Sequence, residues 1–229
     1  MAKQQQPWSF ETDRQMLRLL IGRRFGEEPE GRVEEIREER RRHAAQVVAR
    51  LGIGPGDVVA DLGSGCGFMA GPVAAAARHL HCLDVSADFA AVCARETAGL
   101  PNVSVHVIEP GRLDPIADAG VTKAFSHAVF LHLNLFDALI YLREFRRVLP
   151  EGGLLLIDIN DLDRIDSATD GPFNAHVDHY RRDRGVLFNL MQWHPAGSFV
   201  RVARENGFGL LDQRPAKTGP YTELLLERL

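Results

Sequence analysis

One run of residues constrains this chain more than any other: Val58-Val59-Ala60-Asp61-Leu62-Gly63-Ser64-Gly65-Cys66-Gly67-Phe68. A short apolar stretch reads as a buried strand, and an acid closes it. Glycines follow at alternate positions, and an alanine-rich run, Ala74 to Ala77, reads as a helix. The order strand, glycine turn, helix start belongs to α/β proteins with a parallel sheet. Glycine lets the backbone take positive φ and lets a ligand approach the main chain. The N–H groups at the helix start suit a polar or anionic ligand.

The spacing narrows the ligand. Gly63, Gly65 and Gly67 make G-x-G-x-G, with Phe68 where the dinucleotide fingerprint needs its third glycine. A nicotinamide oxidoreductase is therefore disfavoured. The segment Asp61-Leu62-Gly63-Ser64-Gly65-Cys66-Gly67 instead resembles the first motif of the Rossmann-like, class I S-adenosylmethionine-dependent methyltransferases, and within them the small-molecule type. In that family the acid, here Asp61, holds the amino group of the methionine moiety. Gly63, Ser64, Gly65 and Gly67 would let the rest of the cofactor lie along the backbone.

Later segments extend the resemblance. Leu80 to Leu83 reads as a second strand closed by Asp84, and the family uses such an acid for the ribose hydroxyls. An N-cap for the helix over Ala87 to Ala98 is the plainer role of Asp84, and Ser86 is a competing cap. Asn102 to Ile108 alternates as a third strand. The family places an acid after it against adenine. Glu109 and Asp114 both stand there, and Glu109 is preferred as nearest the strand end. Val121 to Val129 and the turn after it resemble the fourth strand, with Ser126 and His127 facing the methionine end. His132 sits where many members carry a histidine facing the reaction centre; capping the next helix is its structural alternative. Leu135 to Leu149 is amphipathic, and Arg146-Arg147-Val148-Leu149-Pro150-Glu151-Gly152-Gly153 closely resembles the family's helix–turn–strand signature. Leu154 to Ile159 reads as a strand buried on both faces.

Composition excludes several classes. A chain of 229 residues suits one full α/β core, and its net charge of −4 provides no general field for nucleic acid. No N-P-P-Y or D-P-P-Y element follows the fourth strand, which argues against amino-adenine chemistry on DNA. Cys66, Cys82 and Cys93 lack C-x-x-C spacing, so neither zinc nor a disulfide framework is implied. No signal-like or membrane-length apolar run occurs, and the cytoplasm is the expected compartment.

The N-terminal part holds two helical patterns, Glu11 to Gly22 and Arg32 to Leu51. The run Arg40-Arg41-Arg42-His43 reads as a solvated, ion-paired helix face. Gly71-Pro72 is expected to delay or kink the helix after the glycine turn. Residues 160–197 lack a long periodic pattern; long irregular connections are often functional, and the resembled family builds its substrate cap in such a connection. They hold His179, Tyr180, Trp193 and His194. Asp158, Asn160 and Asp161 place oxygen ligands close together, but a strand end with solvated acids is the preferred reading and no metal is assigned.

The expectation is an α/β fold: a doubly wound, mostly parallel seven-stranded sheet with an antiparallel C-terminal hairpin strand and helices on both faces. Residues 1–51 would form a helical extension or lid, 52–229 the methyltransferase domain, and 160–197 a substrate cap. The resemblance implies methyl transfer from S-adenosylmethionine, leaving S-adenosylhomocysteine, to an oxygen or nitrogen nucleophile of a small molecule. His132 is the first candidate base, with His179 and His194 after it; Tyr180 and Trp193 are candidate substrate contacts. No DNA or membrane partner is expected, and a homodimer stays among the options. RNA or protein methylation, and cofactor binding without catalysis, are the competing readings.

Overall fold

The computed structural model describes residues 32–167, 191–217 and 219–229. The helix expected over Glu11 to Gly22, with His179 and Tyr180, lies outside the described residues. The chain forms two compact units, Met1–Pro110 and Gly111–Leu229.

In the first unit α1 (Val33–Leu51) precedes β1 (Val58–Leu62), α2 (Ala70–Ala76), β2 (His79–Asp84), α3 (Ala87–Glu96) and β3 (Val103–Val107). The strands run parallel in the order β3-β2-β1, with Asp61 beside Cys82 and Asp84 beside Val107. Every residue of β1 is buried, as its unbroken apolar run demands. Apolar residues Ile36, Ala44, Val47 and Leu51 form the buried stripe of α1, which packs on α2. Arg37 fastens α1 further: it pairs with Glu34 and, at 2.8 Å, with Glu96 of α3, and its guanidinium lies 5.1 Å from the Phe68 ring centroid.

The glycine-turn helix corrects one expectation. It starts at Ala70, so Pro72 falls in the first turn, where an N–H has no intrahelical acceptor to lose. The proline is accommodated without a kink. Ser86, not Asp84, caps α3, its Oγ accepting from the Phe89 N–H at 3.3 Å. Such a cap contributes about 1 kcal/mol.

The second unit contains β4 (Lys123–Ser126), α4 (Leu135–Val148), β5 (Leu154–Asn160), α5 (Ala196–Glu205), β6 (Phe208–Pro215) and β7 (Tyr221–Arg228). The order is β4-β5-β7-β6: β4 and β5 are parallel, while β7 is antiparallel to both neighbours. With β1 to β3 this makes the seven strands of a doubly wound, mostly parallel sheet carrying an antiparallel C-terminal hairpin. β4 is shorter than the sequence pattern suggested, because the chain turns after Ser126 into a 3₁₀ turn, Phe130–His132.

Helix α4 is capped by Asn134, whose Oδ1 accepts the N–H groups of Phe136 and Asp137. Ala138, Tyr141, Leu142, Phe145 and Val148 form its buried face, leaving Leu135 at the exposed end. Arg147 explains why the helix end carries its particular sequence. The guanidinium donates to the carbonyls of Ile116 (2.8 Å) and Leu113 (3.1 Å) and pairs with Glu144 and Asp118. Glu144 also accepts the Leu113 N–H at 2.8 Å. These bonds hold the 113–118 connection against α4, raise the affinity of Arg147 for its proton and keep the Glu144 carboxyl below its usual range.

Candidate active site

Three glycines of the turn after β1 have left-handed backbone: φ is 74° at Gly63, 53° at Gly65 and 77° at Gly67. Two of them do different work. A Cβ on Gly67 would lie 2.7 Å from Cys93 Sγ, so this glycine lets the turn pack on α3. A Cβ on Gly65 would meet nothing within 4 Å, so that backbone borders open space. The Leu83 carbonyl receives the N–H groups of both Gly63 (2.7 Å) and Ser64 (3.1 Å), tying the turn to the end of β2.

Two acids flank this turn. Asp84, 6% exposed, accepts the Gly65 N–H through Oδ2 at 2.9 Å and the Ser86 N–H through Oδ1 at 2.8 Å. It therefore organises the turn, a role the sequence reading did not assign. Each oxygen keeps acceptor capacity beyond the one bond named here. Burial raises its carboxyl above the ordinary value, and the bonds from Ser86, Gly65 and Val85 oppose that rise. Asp61 is 3% exposed, and burial, then Cys93 and Asp84 nearby, push its carboxyl well above the usual range. An ammonium group placed against Asp61 would draw it back to the charged form. Ser64 Oγ is buried in the same turn, beside the Cys93 thiol.

These features fit S-adenosylmethionine. Asp61 offers a carboxylate to an amino group, Asp84 offers acceptors to a diol, and Gly65 leaves its backbone open. Glu109 is exposed, two residues past the end of β3. Its alternative, Asp114, is exposed and paired with Arg112 at 2.8 Å.

The second unit brings a different group together. Ser126 is 2% exposed at the end of β4. His127 follows, half-buried, with Nδ1 3.0 Å from Oδ2 of Asp158 on β5. Oδ1 of the same carboxylate accepts the Ala128 N–H at 2.7 Å. Ala128 has φ of 59°, a left-handed conformation uncommon for a residue with a side chain. His132 is half-buried in the 3₁₀ turn, and since Asn134 caps α4 its capping alternative falls away.

One reading of the β5 end needs correction. Asp158 and Asp161 are 5% and 4% exposed, so they are not solvated acids. Asp161 accepts from the Ala196 N–H at 3.1 Å and Thr222 Oγ1 at 3.1 Å, joining β5, α5 and β7. Among the described residues no three His, Cys, Asp or Glu side chains are grouped to hold a metal ion. His194 is 6% exposed; its Nε2–H donates to the Leu133 carbonyl at 2.9 Å and its backbone N–H to the Asn160 carbonyl. That ring is thereby held as a tether between segments, with Trp193 half-buried beside it in sequence. The Asp158–His127 contact was missed, although an acid inside the apolar run Leu154-Leu155-Leu156-Ile157-Asp158-Ile159 was a visible signal: a buried acid needs a partner.

Residues 60–157 match the family model for a methyltransferase domain. That segment, from β1 to β5, is similar to methyltransferase domains, and the motif after β1 agrees with it. A methyltransferase domain of this kind takes S-adenosylmethionine as cofactor, and Asp61, the glycine turn and Asp84 are the described groups that fit it. A search of curated proteins finds no significant match. Solved structures resemble it at low identity. An S-adenosylmethionine-dependent methyltransferase from Aquifex aeolicus superposes with TM-score 0.63 at 18% identity, covering 87% of this chain and 98% of that one. The geranyl diphosphate C-methyltransferase of Streptomyces coelicolor A3(2), solved with S-adenosylhomocysteine, gives 0.64 at 15%, covering 82% and 77%. The [4+2]-cyclase SpnF gives 0.63 at 18%, covering 82% and 80%. At such identities the likeness shows the fold alone. No helix among its described residues is long and apolar enough to cross a membrane.

Proposed function

We propose that this methyltransferase acts on an oxygen or nitrogen nucleophile of a small molecule. The observation that carries its cofactor half is the pair of buried acids beside the open Gly65 backbone, Asp61 with no ion pair among the described residues and Asp84 already ordering the turn. In this reading Asp61 takes the amino group, Asp84 the ribose hydroxyls and Glu109 the adenine, while Gly63, Ser64, Gly65, Gly67, Ser126 and His127 line the cofactor. Residues 1–51 serve as a lid and 160–197 as a substrate cap, with Tyr180 and Trp193 meeting the substrate.

When bound, S-adenosylmethionine supplies an activated methyl group. The work left to the chain is alignment of the acceptor, exclusion of water and removal of the acceptor's proton. His132 and His179 are candidates for that last task. The net charge of −4 favours a small molecule over RNA. The geranyl diphosphate C-methyltransferase shows that this fold serves small acceptors, and the cyclase that it also serves other reactions.

Calorimetry with S-adenosylhomocysteine tests the cofactor assignment. Asp84→Ala is expected to cost about 2 kcal/mol of binding, roughly 30-fold in affinity, because a charged acceptor of two hydrogen bonds is lost. The melting temperature of the free protein should fall as well, since Gly65 and Ser86 lose their acceptor. Unchanged affinity rejects the assignment. Methyl transfer from labelled S-adenosylmethionine to a panel of phenols, amines and carboxylic acids then tests the substrate class. Transfer to RNA or protein alone, or binding without transfer, overturns it.

A further inference from the structure

The carboxylate of Asp158 sits inside an otherwise apolar strand and is 5% exposed, yet it makes two specific contacts on consecutive residues one strand away. Oδ2 lies 3.0 Å from His127 Nδ1, and Oδ1 accepts the Ala128 N–H at 2.7 Å. A carboxylate in its ionised form has only acceptors, so in the neutral imidazole the proton belongs on Nδ1 and the lone pair on Nε2. The second contact fixes the backbone that carries the ring: Ala128, at φ of 59°, holds the turn in a conformation that needs an outside anchor. The His127 side chain is 23% exposed, so part of the ring faces outward.

We propose that Asp158 is a positioning residue that fixes His127 with Nε2 as its proton-accepting nitrogen, making His127, in place of His132 or His179, the base for the methyl acceptor. The base role rests on the methyl-transfer reading above; the positioning role does not. In the reaction the acceptor's proton passes to His127 Nε2 as the acceptor–carbon bond forms. The electron pair of the broken carbon–sulfur bond stays on sulfur, and the imidazolium remains paired with Asp158.

Asp158→Asn separates positioning from structure. The amide oxygen can still accept from Ala128, but the amide nitrogen donates, so His127 must present a lone pair at Nδ1 and carry its proton on Nε2. Proton–nitrogen correlation spectra of the neutral ring should show Nδ1–H in the parent protein and Nε2–H in the variant. Affinity for S-adenosylhomocysteine should stay within about threefold. With whichever panel acceptor is methylated, kcat should fall about 100-fold with KM nearly unchanged, as loss of a general base predicts. Asp158→Ala should lower the melting temperature, and adding Ala128→Gly should restore much of it without restoring kcat.

The same tautomer in parent and Asn variant, or Nε2–H in the parent, overturns the positioning role. Full turnover by His127→Gln overturns the base role. If the parent protein binds no S-adenosylhomocysteine and methylates nothing, the methyl-transfer reading fails, and the base role with it. The tautomer result still decides positioning.

Discussion

The turn after β1 and the turn after β4 reach left-handed backbone by opposite means. The first uses glycine, at Gly63, Gly65 and Gly67, where positive φ costs little. The second uses Ala128, where the same conformation costs about 1–2 kcal/mol, and an acid on the neighbouring strand holds it. Asp84 and Asp158 play parallel parts, each accepting a backbone N–H of its turn. They differ in the second bond. Asp84 takes another backbone group, Ser86 N–H, whereas Asp158 takes an imidazole. One acid joins two backbone groups of its turn, and the other joins a backbone group to an imidazole.

The largest expected effect breaks the first turn. Gly67→Val combines positive φ with a Cβ placed 2.7 Å from Cys93 Sγ. It should destabilise the protein by about 4 kcal/mol and abolish S-adenosylhomocysteine binding. Gly65→Ala, strained but unobstructed, should cost only about 1–2 kcal/mol in a denaturant titration. Equal losses at the two sites would mean that packing on α3 is not what Gly67 serves.

Arg147→Ala comes next. It removes two carbonyl contacts and two ion pairs from the connection that leads into β4, and should cost about 2 kcal/mol by thermal melt. A loss under about 0.5 kcal/mol, typical of a surface ion pair, would show that α4 does not anchor that connection.

A pH dependence sharpens the comparison of titratable groups. His81 is pushed from the model-compound value of 6.5 down to about 4 by burial, then by His79 and His106. A depressed histidine contributes stability above its unfolded value, and that stability is lost as pH falls from 6.5 toward 4. Melting temperature should decline across that window, and His81→Gln should flatten the decline. No flattening would assign the acid sensitivity to other groups.

The smallest effect is expected at Ala128→Gly. Relief of the left-handed cost exceeds the added backbone entropy by about 0.5 kcal/mol, a small gain in stability. A marked loss would mean that the alanine methyl, not only its backbone, matters to the turn.

The first turn was legible because its parts are local. Strand, acid and glycines occupy consecutive positions, and Asp84 closes the next strand as expected. The C-terminal hairpin was legible for a similar reason: each strand pattern is contiguous, and β6 and β7 are neighbours in sequence. The starts and ends of elements were less so. Pro72 looked like an obstacle until the helix start at Ala70 placed it in the first turn. The acids at 158 and 161 looked solvated because a linear pattern does not show what covers a strand end.

The amino-acid sequence alone determined the fold class of this protein: alternating apolar runs and a glycine turn admit a parallel sheet, and the acid before that turn carries the resemblance to the methyltransferase motif. Tertiary structure decided which polar groups are partners. Asp158 meets His127 and Ala128 across 30 or more positions, and Asp161 meets Thr222 across 61. Such pairs depend on strand register and on the exclusion of water, and neither is fixed until the sheet has formed.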